Sequence, residues 1–277
     1  MNEMEILFLG SGTSHGIPMI GCRCPVCTSA DPRDRRYRAS IAVRLPAGEP
    51  TAGRVLLVDA GPELRLSAVA CGLERVDAVL FTHAHADHIL GLDDIRRYND
   101  LSRRTIPCYA DAETLATLRR VFGYAVRPYG SPDRPSISLE EFLPAPSSSP
   151  GVAAFSPREV CGAIVQPVRM LHGATTVLGF RIGGFAYCTD CSAIPPASQA
   201  LLLGLDVLIL DALRYTPHAG HFNLAQALTM AAALGPRRTI LTHIAHEISH
   251  ARTSKELPAG VELAYDGMRI QTAFQQG

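Results

Sequence analysis

The chain has 277 residues, and its 26 basic and 26 acidic side chains leave no formal net charge. That balance disfavours a role in gripping long nucleic acid, which ordinarily demands a basic excess. No stretch approaches the ~18 uninterrupted apolar residues of a membrane span, and Met1–Gly10 lacks the basic flank of a secretory signal, so a soluble cytoplasmic protein is expected.

Glu5–Leu9 reads as a strand running into Gly10-Ser11-Gly12-Thr13-Ser14-His15-Gly16. The glycine spacing is wrong for a dinucleotide fingerprint, and Pro18, Gly21 and Pro25 exclude a helix directly behind it. The glycines are read instead as permitting close backbone turns. Cys22-Arg23-Cys24-Pro25-Val26-Cys27 follows, and three thiols this close can fill three corners of a tetrahedral zinc site. Without a secretory signal, such clustering favours metal binding over a disulfide framework. A fourth ligand must come from elsewhere, with His15, His218, His221, His246 and His250 as candidates.

Ala39–Leu45 and Arg54–Val58 form a hairpin whose connection contains Pro46, Gly48, Pro50 and Gly53. Its second strand ends in Asp59-Ala60-Gly61, ahead of a helix over Glu63–Ala70. Asp59 is there either as a helix cap or as the acceptor that fixes the tautomer of a metal-bound histidine. Val76–Phe81 is a short buried strand. Directly after it stand Thr82-His83-Ala84-His85-Ala86-Asp87-His88, four metal-ligand side chains within six residues. On an extended segment His83 and His85 point to the same side. Asp87 and His88 arrive as the backbone turns into a helix expected over Ile89–Leu101. This imidazole and carboxylate set suits zinc, iron or manganese, and so many ligands suit two metals close together.

A strand near Pro107–Ala110 and a helix over Ala112–Phe122 come next. Residues 124–160 are rich in proline and serine with little periodicity, and read as a lid, a binding loop or a mobile insertion. Strands resume at Ile164–Leu171, Val177–Ile182, Phe185–Cys188, Leu205–Leu210 and Thr239–Leu241, with an amphipathic helix at about Ala225–Leu234. Several of these strands end in polar residues able to reach the first cluster: His172, Asp190 and His243. Asp211, at the end of another, is either an orienting group or a cap. One layered α/β domain over 1–277 fits this order.

The motif His-x-His-x-Asp-His after a strand resembles the signature of the metallo-β-lactamase superfamily, whose fold is an αββα sandwich. The resemblance implies that His83, His85 and His172 hold one divalent metal (zinc, manganese or iron) and Asp87, His88 and His243 a second. Asp190 would bridge them, with room left for a bridging hydroxide. Together with the Cys-x-Cys-x-x-Cys knot at about 21–28, the chain resembles the PhnP-type phosphodiesterases associated with carbon–phosphorus lyase. Matching segments include Gly10-Ser11-Gly12-Thr13, Val58-Asp59-Ala60-Gly61, Thr189-Asp190-Cys191-Ser192, Leu210-Asp211-Ala212-Leu213-Arg214 and Leu241-Thr242-His243-Ile244-Ala245-His246. By that likeness His246 closes the knot around a structural zinc. His221, in Gly220-His221-Phe222-Asn223, serves the leaving group and joins Asp87 and Asp190 among the catalytic residues. The implied substrate is a small, even cyclic, phosphodiester, and the expected assembly a homodimer. The rival activities are hydrolysis of a lactone, β-lactam or thioester, and RNA processing; a non-catalytic zinc protein fits poorly with so complete a ligand set.

Overall fold

The computed structural model describes residues 3–130, 134–146 and 154–274. Strands β1 (Glu3–Gly10), β2 (Ser40–Arg44), β3 (Val55–Val58), β4 (Ala78–Leu80), β5 (Ile106–Ala110) and β6 (Ile137–Glu141) belong to one sheet. The other holds β7 (Arg158–Val160), β8 (Ala163–His172), β9 (Thr175–Ile182), β10 (Phe185–Cys188), β11 (Val207–Asp211), β12 (Arg238–Thr242) and β13 (Val261–Leu263). A last strand, β14 (Arg269–Ala273), returns to pair antiparallel with β1. The orders are β14-β1-β2-β3-β4-β5-β6 and β13-β12-β11-β10-β9-β8-β7, so each sheet has seven strands.

Period-2 alternation explains the layering. Along β1, Met4, Ile6 and Phe8 pack into the core between the sheets, where Phe180, Phe185, Tyr187 and Ile209 meet them. Leu7 and Leu9 face the other way, onto the layer of α1 (Leu64–Cys71) and its neighbours. Likewise Val207 and Ile209 of β11 face inward, while Leu208 and Leu210 pack outward with Ala227 and Leu234. Helices thus cover both outer faces, and the molecule is the αββα sandwich that the resemblance implies.

The helix expected over Ile89–Leu101 is broken. It becomes α2 (Ala86–Ile89), a 3-10 turn at Leu92–Ile95 and α3 (Arg96–Ser102). The cause is Gly91, whose amide donates to the Ala60 carbonyl at 2.8 Å and whose Cα lies against the backbone of Gly61, where no side chain would fit. Docking the turn on the β3–α1 connection outweighs helical periodicity. Helix α4 (Ala112–Phe122) is capped by Asp111, which accepts from the Thr114 amide at 2.8 Å. Residues 124–160 are also less irregular than their composition suggests. β6 pairs in parallel with β5 along five residues, and β7 pairs with β8. Residues 131–133 and 147–153, including the serine run, lie outside the described residues. Helices α5 (Pro196–Ala200), α6 (Leu224–Leu234) and α7 (His250–Thr253) complete the chain. Among the described residues no helix is long and apolar enough to cross a membrane.

Candidate metal centre

β3 and β4 run parallel in one sheet, and β10, β11 and β12 run parallel in the other. Their carboxyl ends deliver Asp59, His83, Asp190, Asp211 and His243 to one edge of the sandwich, the usual place for sites in α/β sheets. Three of these residues have left-handed backbones, with φ of 62° at Asp59, 54° at Asp190 and 59° at His243. Non-glycine residues adopt that conformation at a cost of about 1–3 kcal/mol each, and it persists where surrounding structure dictates it.

His83, His85 and His172 form one donor group, and Asp87, His88, Asp190 and His243 another; within each, the donor atoms lie within 4.8 Å of one another. His85 leads into α2, so Asp87 and His88 fall in its first turn. His83 Nε2 stands 2.9 Å from His85 Nδ1. Asp190 Oδ2 is 3.3 Å from His88 Nε2, 3.2 Å from His243 Nε2 and 3.9 Å from His83 Nε2, which puts it between the two groups.

The tautomers follow from the partners on the far side of each ring. His88 Nδ1 donates to Asp59 Oδ2 at 2.7 Å. The same carboxylate accepts from the Thr82 amide and the Thr82 hydroxyl, both at 2.9 Å. The hydroxyl, its proton committed to Asp59, accepts from His83 Nδ1 at 3.0 Å. His172 Nδ1 donates to the Gly220 carbonyl at 2.6 Å. Each of the three rings therefore turns a lone pair on Nε2 toward the cluster. Asp59 is not a helix cap, since α1 has no side-chain cap bond. Thr82 is a relay that the sequence reading missed; its signal was a hydroxyl immediately ahead of His83 at a strand end.

Asp211 organises the opposite wall. Fully buried, it accepts from the Cys191 amide at 2.9 Å and from His221 Nδ1 at 2.8 Å, through Oδ2. Its Oδ1 faces His243 Nδ1 at 3.6 Å. His221 is 8 % exposed, and one of its nitrogens lies within 4.8 Å of donors from His172 and Asp190. Its ring stacks on His243 with centroids 4.7 Å apart. His218 sits farther out, its ring centroid 5.0 Å from that of His221.

The electrostatics call for positive charge. Burial opposes ionisation of Asp190, yet His243, His88 and His83 hold its carboxyl well below the ordinary range. Burial likewise opposes charge on His243, but Asp190, Asp87 and Asp211 raise its pKa to about 8. Among the described residues, the buried Nε2 atoms of His88 and His243 make no well-aligned hydrogen bond, although Asp190 Oδ2 lies 3.3 and 3.2 Å away. Two such buried ring nitrogens facing two carboxylates fit cations in place of those protons. The cluster suits a dinuclear metal site.

A second donor set is separate. Cys22, Cys24 and Cys27 place their sulfurs 3.3, 3.4 and 3.8 Å from His246 Nδ1. The Cys27 amide and neighbouring groups lower the Cys24 thiol to about 6, toward the thiolate that binds metal. Three sulfurs and one imidazole suit a structural zinc. Of the remaining histidines, His250 is buried against Tyr265 and His15 is exposed, and neither belongs to a donor set.

With two sheets, strand-end histidines and carboxylates and a thiol knot, the geometry is that of a metal-binding hydrolase. Residues 54–244 match the family model described as the beta-lactamase superfamily domain. The chain therefore belongs to the metallo-β-lactamase superfamily and is a hydrolase of that type. It resembles the crystal structure of a diphosphatase from the PhnP family with a TM-score of 0.87 and 38% identity, over 98% of each chain. Coenzyme PQQ synthesis protein B of Methylorubrum populi is 32% identical over 75% of this chain and 72% of its own length. A Porphyromonas gingivalis protein named octanoyltransferase is 33% identical over 96% of this chain, which spans only about half (51%) of that protein. Human tRNase Z, short form, shares the fold at a TM-score of 0.67 and 19% identity.

Proposed function

We propose that the chain is a dinuclear metal-dependent phosphodiesterase acting on a small phosphodiester. His83, His85 and His172 would hold one cation, and Asp87, His88 and His243 the other, with Asp190 shared. Cys22, Cys24, Cys27 and His246 would hold a structural zinc. When bound, the cation pair supplies neutralisation of the phosphate oxygens and acidification of water.

The observation that carries the reading is the Asp211–His221 pair at the edge of both donor groups. Phosphoryl transfer to water needs a proton delivered to a poor leaving group as the ester bond breaks. With Nδ1 tied to Asp211, His221 keeps Nε2 for that proton. The water gives up one proton to solvent and its oxygen bonds to phosphorus as the bond to the departing oxygen breaks; His221, carrying a proton on Nε2 as the step begins, passes it to that oxygen, which leaves as an alcohol, and the other product is a phosphomonoester. Asp211 acts on both sides of this chemistry, since it also faces His243. A full-length likeness to a PhnP-family diphosphatase supports the phosphorus chemistry. The neutral charge speaks against a long RNA substrate.

The test is a screen of protein loaded separately with zinc, manganese or iron. Substrates are bis-p-nitrophenyl phosphate, cyclic phosphodiesters, diphosphates, lactones and acyl thioesters. The highest kcat/KM is expected on a diester. Faster turnover of lactones or thioesters would replace this reading with acyl chemistry.

A further inference from the structure

Beside the first donor group lies a cavity of about 190 Å³ that the chemistry above does not use. One wall is the loop carrying His83 and His85; the second is the start of β9, with Thr175 and Thr176. The third is one face of α4, where Glu113, Thr117 and Arg120 recur at helical spacing. We infer that this cavity is the specificity pocket for the substituent that stays on phosphorus, and that it takes a small hydroxyl-rich group. The inference rests on the phosphodiesterase reading.

Position gives the first argument. The rings form a row, with His85 and His172 centroids 5.2 Å apart and those of His172 and His221 4.6 Å apart. The cavity touches His83 and His85 but neither His172 nor His221. The leaving oxygen belongs at His221, so the retained substituent is the one that reaches the cavity. His85 is exposed, which opens the way between them.

Chemistry gives the second. Glu113, Thr117 and Arg120 make no side-chain hydrogen bond or ion pair among the described residues, so an acceptor, a hydroxyl and a donor are available. Three other polar groups of the lining are engaged: Asp111 caps α4 through Oδ1, Thr175 donates to the His172 carbonyl at 2.8 Å, and Thr176 accepts from Arg169 at 3.2 Å. One cation against two carboxylates disfavours a second anionic group. Among the described residues no aromatic ring besides the two imidazoles lines the space, so a nucleobase finds nothing there to stack on. Drug-sized ligands occupy pockets of roughly 300–1,000 Å³, and this one is smaller. A mixed donor and acceptor set of that size matches a glycerol or sugar-like polyol.

The test uses metal-loaded protein and p-nitrophenyl phosphodiesters that share one leaving group. They differ in the retained group: glyceryl, ethyl or carboxyethyl. The glyceryl ester should have a kcat/KM about tenfold above the ethyl ester, the scale of one or two hydrogen bonds. Arg120→Ala and Thr117→Val, both on the surface of α4, should each remove most of that preference through KM, leaving the ethyl ester within about twofold of the parent. Calorimetric titration with glyceryl methylphosphonate and ethyl methylphosphonate gives the same comparison without turnover, and should show the same ratio and the same loss. Equal binding and turnover of glyceryl and ethyl compounds would overturn the assignment. So would a preference for the carboxyethyl ester abolished by Arg120→Ala, which would make the cavity an anion site. Absence of hydrolysis of every diester would sink the phosphodiesterase reading, and the titrations would still decide the pocket.

Discussion

Asp59→Asn changes one atom, yet it should disarm both donor groups. Asp59 Oδ2 takes the proton of His88 Nδ1 and that of the Thr82 hydroxyl, while Oδ1 takes the Thr82 amide proton. An asparagine must keep its carbonyl oxygen toward the amide, which has no other use for its proton. Its NH₂ then replaces Oδ2 and becomes a donor to His88 Nδ1, which forces the proton of that ring onto Nε2. The Thr82 hydroxyl becomes an acceptor for the NH₂ and turns its own proton toward His83 Nδ1, with the same result there. Neither Nε2 could then offer a lone pair to a metal. Loss of a single orienting partner typically weakens a metal site by about 10–100-fold, and here each group loses one ligand orientation. Both affinities should therefore fall by about that factor. Competition against a chromophoric chelator measures the affinities, and long-range ¹⁵N–¹H NMR reports which ring nitrogen carries the proton. Affinities within twofold of the parent, or an unprotonated Nε2 on His88 in the metal-free variant, would refute the reasoning.

His221→Ala should slow diesters of weakly acidic alcohols by about 10²–10⁴-fold while sparing p-nitrophenyl esters, with metal content unchanged; an equal loss on both classes would reassign the residue to phosphate positioning. Cys24→Ser should cost about one equivalent of zinc by elemental analysis and lower Tm, and His246→Ala should do the same. Full zinc retention by the latter would show the fourth ligand to be wrong. Asp266 is half-buried and accepts from Ser11 and Tyr37, and desolvation of its carboxylate raises its pKa to about 6 from 3.8. A raised folded-state value means that its contribution is fully present below pH 3.8 and lost as pH rises through about 6. Relative to Asp266→Asn, the protein should thus lose about 3 kcal/mol over that window in urea unfolding, two pKa units being worth roughly that much. A flat difference between pH 4 and 7 would contradict it.

What the sequence determined by itself was local. His83, His85, Asp87 and His88 announce themselves because six residues of chain leave the ligands no way to be far apart. The thiols of Cys22, Cys24 and Cys27 do the same, and Leu205–Leu210, apolar but for Asp206, reads as a buried strand. Partners separated by long stretches of chain carry no such mark. Nothing local says that Asp211, a strand-end acid like many caps, will hold His221 with one oxygen and face His243 with the other. His246 was one of five histidines left as candidates by spacing, and only folding brings its Nδ1 to three sulfurs more than two hundred residues away. Helical periodicity after Ile89 gave way to a backbone contact between Gly91, in the turn after α2, and Ala60-Gly61 at the end of β3. The strand at Ile137–Glu141 lacked a local signal because its hydrogen bonds come from β5, the strand beside which it lies. Spacing along the chain fixes which groups can meet nearby; burial and hydrogen-bond satisfaction across the sandwich decide which distant ones do.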